Sequence, residues 1–152
     1  MDEELVFLQV EKNKDQTEVL RTLAKALFDK GFVKEGFSQA VIEREKSFPT
    51  GLQFEGYGIA IPHTDSYYVN QTQLAVMTLK EPVYFTQMAT QEEKGAVRIV
   101  IMLAIKEAHG QLDMLQKLIG LCQDSDLVQE MLSFQQDDSQ KLLTLLQKHH
   151  II

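Results

Sequence analysis

Residues 97–105, Val-Arg-Ile-Val-Ile-Met-Leu-Ala-Ile, constrain this chain more than any other stretch. Every side chain there except Arg98 is apolar, β-branched types dominate, and no alternation separates a wet face from a dry one. A strand of that kind is buried on both faces of its sheet, so helices must cover it above and below. The run is also far short of the ~20 apolar residues that cross a bilayer. An α/β domain around a parallel or mixed sheet is the expectation. At 152 residues the chain fits a single domain spanning 1–152.

The remaining segments supply the layers. Residues 5–10 read as a first strand. Asp15 and Glu18 form a capping box ahead of a helix whose inner face is Leu20, Leu23, Ala24, Leu27 and Phe28, and Gly31 ends it. Residues 34–46 read as a second helix, closed by the turn Ser47-Phe48-Pro49-Thr50-Gly51. Gly56 and Gly58 bracket Tyr57, where a tight bend or the close approach of another backbone is expected. Residues 67–70 are loop-like and residues 74–79 a buried strand; Lys80-Glu81-Pro82 reads as a turn before a short strand, 83–85, at an edge. Polar residues 88–94 form a loop. After the long strand comes a helix with Leu112, Leu115, Leu118, Ile119 and the core residue Cys122 on one side. Residues 124–134 form another, with Leu127, Val128, Met131 and Leu132 inward, and Ser139 caps a last one that carries Leu142, Leu143, Leu145 and Leu146. His149 and His150 fall in a solvated tail.

Chemistry concentrates at three positions. Gly58-Ile59-Ala60-Ile61-Pro62-His63 reads as a buried strand that must stop at Pro62, which has no N–H for a sheet ladder. His63 is then the first side chain past a rigid strand end, where open α/β sheets carry their chemistry. His109 follows the long strand and opens the next helix, where a positive dipole end and free backbone donors are available. Arg44 continues the helical stripe of Phe37, Ala40 and Val41 towards the same region; otherwise it pairs with Glu43 or Glu45 at the surface. Two imidazoles and a guanidinium suit an anionic group, and a neutral imidazole is a nucleophile near pH 7. Phosphoryl transfer asks a protein for little beyond alignment and charge stabilisation. The rival is a zinc site of His63, Asp65 and His109, which an arginine in the same cluster opposes and no HExxH or CxxC spacing supports. A GxxxxGK phosphate loop and a GxSxG elbow are both absent from the sequence.

Charge narrows the partners. A net charge of −7 disfavours nucleic acid and anionic lipid and is compatible with a basic protein. The single cysteine, Cys122, excludes an internal disulfide and a cysteine-based zinc site, and fits a reducing cytoplasm. Met1-Asp2-Glu3-Glu4 is acidic where a signal peptide needs a positive start, so a cytoplasmic protein is expected.

Val41-Ile42-Glu43-Arg44-Glu45, then Thr50-Gly51, then Gly58-Ile59-Ala60-Ile61-Pro62-His63, resembles the IIA components of the bacterial phosphoenolpyruvate-dependent sugar phosphotransferase system, in the mannitol/fructose superfamily. The likeness covers nearly the whole chain, and Ser47-Phe48-Pro49-Thr50-Gly51-Leu52 is most similar to the galactitol-type branch. The resemblance implies a mixed β-sheet with helices packed on both faces and a phosphoryl relay. His63 would receive the group on Nε2 from the phosphohistidine of HPr and pass it to a cysteine of a cognate IIB component serving a IIC permease. No cofactor is expected beyond the covalent phosphohistidine. Arg44 and His109 match positions that stabilise the transferred group. Where mannitol-type relatives carry an acidic residue this chain has Tyr57, so a charge role at that slot is lost or altered. A regulatory nitrogen-type phosphoprotein and a non-catalytic anion-binding module are the competing outputs of the same architecture.

Overall fold

In chain order the residues that the computed structural model describes, 2–151, form β1 (Val6–Val10), α1 (Gln16–Asp29), α2 (Phe37–Ser47), β2 (Gly51–Phe54), β3 (Tyr57–Ala60), β4 (Gln73–Thr86), β5 (Lys94–Ala104), α3 (Ala108–Cys122), α4 (Ser125–Ser133) and α5 (Ser139–Lys148). The strands make one mixed sheet in the order β1-β4-β5-β3-β2. β1 runs parallel to β4 and β3 parallel to β5, while β4 with β5 and β2 with β3 are antiparallel. The apolar run is thus the middle strand. Its side chains divide as the pleat requires: Val100, Met102 and Ala104 pack in one core with α1 and α2, and Ile99, Ile101 and Leu103 pack in the other with α3, α4 and α5. Each such large side chain taken out of water contributes about 1.5–3 kcal/mol, which makes the doubly covered strand the anchor of the fold.

Helix ends follow their chemistry. The Asp15 carboxylate accepts from Glu18 N–H at 2.9 Å and the Glu18 carboxylate accepts from Lys14 N–H at 3.2 Å, a capping box displaced by one residue. At the other end Gly31, at φ +79°, donates to the Phe28 carbonyl and Phe32 donates to that of Leu27, the paired closure of a Schellman motif.

Several expectations change. Residues 80–82 are not a turn, and 74–79 and 83–85 are one strand: β4 is continuous, with its pairing to β5 interrupted between Thr78 and Val83. The interruption accommodates Pro82, and Arg98, the polar residue of the apolar run, donates its Nε–H to the Leu79 carbonyl there at 2.9 Å. β2 was not legible as a strand, because four residues are too few to show a period, yet it pairs with β3 through a tight turn at Gly56, φ +87°. The second helix begins at Phe37 rather than residue 34: Val33 forms an antiparallel bridge with Val69 and Lys34 N–H donates to the Tyr68 carbonyl, so the chain is still extended there. Phe28 and Leu112 are exposed, not inward. Ser139 is the first residue of α5; Asp138 occupies the cap position and spends its carboxylate on Gln135 N–H. Cys122 is buried as expected, and its burial pushes the thiol up to about 12. Among the described residues no helix is long and apolar enough to cross a membrane.

Candidate phosphoryl-acceptor site

β3 ends at Ala60, and the next residues continue beside β5 without a regular ladder: the Pro62 carbonyl accepts from Leu103 N–H at 3.0 Å, and His63 bridges Leu103 in parallel. Pro62 enforces this stop and His63 is left half-buried where β5 finishes. Its Nδ1 lies 3.0 Å from the Ile61 carbonyl oxygen. A carbonyl can only accept, so Nδ1 carries the proton and the lone pair of the neutral ring is on Nε2. The same bond fixes the ring plane. As Nε2 acquires an electrophile and the ring becomes cationic, the carbonyl dipole stabilises the charge at Nδ1.

Burial holds the His63 pKa below the usual histidine range; the Ile61 carbonyl opposes this, and the positive charge of Arg44 adds to it. Because the folded pKa lies below the unfolded value, the neutral ring favours folding above the unfolded pKa, and that contribution is lost as pH falls through ~6.5 towards the folded value. Any reaction that uses the neutral ring as nucleophile should therefore stay level from pH 8 to below an ordinary histidine's ~6.5 and fall only in more acid solution. A pH–rate profile paired with an NMR titration of the ring checks this. An inflection at or above the ordinary value would contradict it.

Arg44 departs from expectation. It does not continue the buried stripe: α2 buries Phe37, Val41, Ile42 and Glu45, and Arg44 is exposed. Nor does it pair with Glu43, whose carboxylate accepts from Gln39 at 2.7 Å and lies 3.9 Å from Lys46. Its guanidinium instead stacks over the Phe48 ring, 5.0 Å from the centroid, near enough for its charge to act on His63.

His109 is exposed on the first turn of α3. No side chain caps that turn, and Gln111 Nε2–H donates to the Thr64 carbonyl at 2.7 Å, tying the helix start to the residue after His63. His63 and the open N-terminus of α3 are therefore neighbours, although no hydrogen bond among the described residues joins the two imidazoles. Asp65 serves the loop: its carboxylate accepts from Tyr67 N–H at 2.9 Å. Among the described residues no three His, Cys, Asp or Glu side chains gather as a metal site.

Glu45, expected at the surface as a possible partner of Arg44, is buried and bound by Thr50, and Gln111 has no signal in the sequence. Glu45 stands i+4 from Val41 and i+3 from Ile42, so it competed with Arg44 for the inward position, and an acid was not favoured to win. Exposed Phe48, Tyr67 and Leu112 sit on the segments that carry Arg44, follow His63 and follow His109. Tyr57 lies at the far end of β3 from His63 and donates its hydroxyl to the Cys122 carbonyl at 2.6 Å, a tie between sheet and α3.

The model of the phosphoenolpyruvate-dependent sugar phosphotransferase system EIIA 2 family matches residues 1–149. The chain belongs to this family. It is accordingly a phosphotransferase component. Among relatives of this EIIA chain, the galactitol-specific EIIA component of Escherichia coli K12 is 31% identical over 130 residues, 86% of each chain. The transcriptional regulator ManR of Bacillus subtilis is 39% identical over 102 residues, which are 67% of this chain and 14% of the regulator. The fold is that of the mannitol enzyme IIA in its Escherichia coli complex with phosphorylated mannitol enzyme IIB: TM-score 0.76 at 24% identity, covering 97% of both chains.

Proposed function

We propose that this EIIA chain is a cytoplasmic relay that takes a phosphoryl group from phospho-HPr onto His63 Nε2 and gives it to a cysteine of a cognate IIB component serving a galactitol-type or related polyol permease. The observation that carries the reading is the hydrogen bond from Nδ1 to Ile61, which leaves one nucleophilic nitrogen at an accessible strand end. In the accepting step the Nε2 lone pair forms a bond to phosphorus while the donor's N–P bond breaks, its electron pair returning to the HPr imidazole. In the donating step a thiolate of IIB attacks the same phosphorus and the His63 N–P bond breaks, restoring the neutral ring. Arg44 and the N-terminal end of α3, where His109 stands, supply positive charge where the equatorial oxygens develop theirs. The exposed apolar groups Phe48, Tyr67 and Leu112 suit docking of a protein donor. The sequence likeness to the galactitol component supports the polyol assignment.

Labelled phosphoenolpyruvate with enzyme I and HPr should place an acid-labile group on the chain, and addition of a galactitol-type IIB should remove it. A chain that takes no label ends the reading. A regulatory output is the second reading, favoured by the likeness to ManR over two thirds of the chain; label accepted and then delivered to no IIB would select it. Arg44→Ala should slow acceptance about 10- to 100-fold in a rapid-quench measurement, because a charge-assisted contact to the phosphoryl oxygens is lost. Equal rates in the two proteins would return Arg44 to a surface role.

A further inference from the structure

Glu45 is the one acidic or basic side chain among the fully buried residues described, only 3% exposed, and it lies in the last turn of α2 where the helix dipole disfavours a negative charge. Burial pushes its carboxyl up to about 7. Such a position is costly unless the carboxylate is well bound. It is: Thr50 N–H donates to one oxygen at 2.7 Å and Thr50 Oγ1–H to the other at 2.8 Å, and Thr50 is itself buried. These two bonds close a loop running from the end of α2 to the start of β2. Inside it, Phe48 N–H donates to the Arg44 carbonyl at 2.7 Å, and the Phe48 ring, 62% exposed, lies beneath the Arg44 guanidinium. An apolar ring held that far into water has no core to fill. Its face carries the arginine.

We propose that Glu45 and Thr50 are positioning residues: their paired hydrogen bonds hold the 47–50 loop so that Phe48 forms a platform for Arg44, presenting the guanidinium to the phosphoryl group at His63. The inference rests on the reading that His63 accepts that group and Arg44 faces it. A free arginine explores many rotamers, and ordering it in the transition state costs side-chain entropy. The clamp meets part of that cost beforehand, as preorganised catalytic groups require.

The test is single-turnover acceptance at saturating phospho-HPr, where any docking contribution of Phe48 drops out. Thr50→Val removes the hydroxyl donor at nearly constant shape and should slow transfer about tenfold, whereas Thr50→Ser should retain most of the rate. Phe48→Ala, an exposed change that does not threaten folding, should cost a similar factor. In an Arg44→Ala background neither Thr50→Val nor Phe48→Ala should slow transfer further, since both act through the missing side chain. A purely structural role would not produce that non-additivity. Full-sized losses in the Arg44→Ala background, or wild-type rates for both single variants while Arg44→Ala is slow, overturn the clamp. A wild-type chain that accepts no label, or an Arg44→Ala variant as fast as wild type, overturns the underlying reading as well, so the two failures are told apart.

Discussion

Replacing His63 with alanine is expected to abolish phosphoryl acceptance in a chain that still folds. On the proposed reading the variant removes the nucleophile, and among the described residues no second imidazole occupies the end of β3 to replace it, so acceptance should fall by more than ~10³-fold. The structural cost is small by comparison. The hydrogen bond of the His63 ring is local, to a carbonyl two residues back, and the backbone bond from Leu103 N–H to the Pro62 carbonyl does not depend on the side chain. Truncation of a half-buried ring should cost about 1–2 kcal/mol. Intact-protein mass spectrometry after incubation with phosphoenolpyruvate, enzyme I and HPr reads the first effect, and thermal melting reads the second. Label on a folded His63→Ala variant would move the acceptor to His109, His149 or His150 and end the relay as described here.

Gly58→Ala should produce the largest loss of stability among single methyl additions. A Cβ at this position would stand closer than 3.0 Å to the Ala96 carbonyl oxygen, a backbone atom of the neighbouring strand that cannot swing aside. Relief requires β3 and β5 to separate, and β3 is the strand that delivers Pro62 and His63 to their places. Overpacking of a sheet interior costs about 1–3 kcal/mol, and contact with main chain puts this case at the upper end. A loss of about 3 kcal/mol corresponds to a melting shift of roughly 6–12 °C for a chain of this size. The same methyl at Gly120, where nothing lies within 4 Å, is the control. An unchanged melting temperature for Gly58→Ala would show that the strands are not held at this spacing.

Periodicity and backbone chemistry were enough for the central strand, the helix layers on both faces of the sheet, the capping of α1 and the end of regular pairing ahead of His63. Each depends on the order of side chains within one segment: a run with no wet face must be covered twice, and a proline cannot donate wherever it is placed. The family resemblance drew on the same local pattern around His63, and the match over residues 1–149 agrees with it. Arg44 and Glu45 mark the boundary of that legibility. Both lie within reach of the inward face of α2, and helical spacing alone cannot rank them. The buried position went to the acid because Thr50, from the following loop, brought two donors to it, a contact that exists only after α2 has docked and the chain has turned into β2. The tautomer of His63 has the same origin. Sequence places an imidazole at a strand end, but which nitrogen keeps its lone pair was decided by where the Ile61 carbonyl points once the strand is seated against β5.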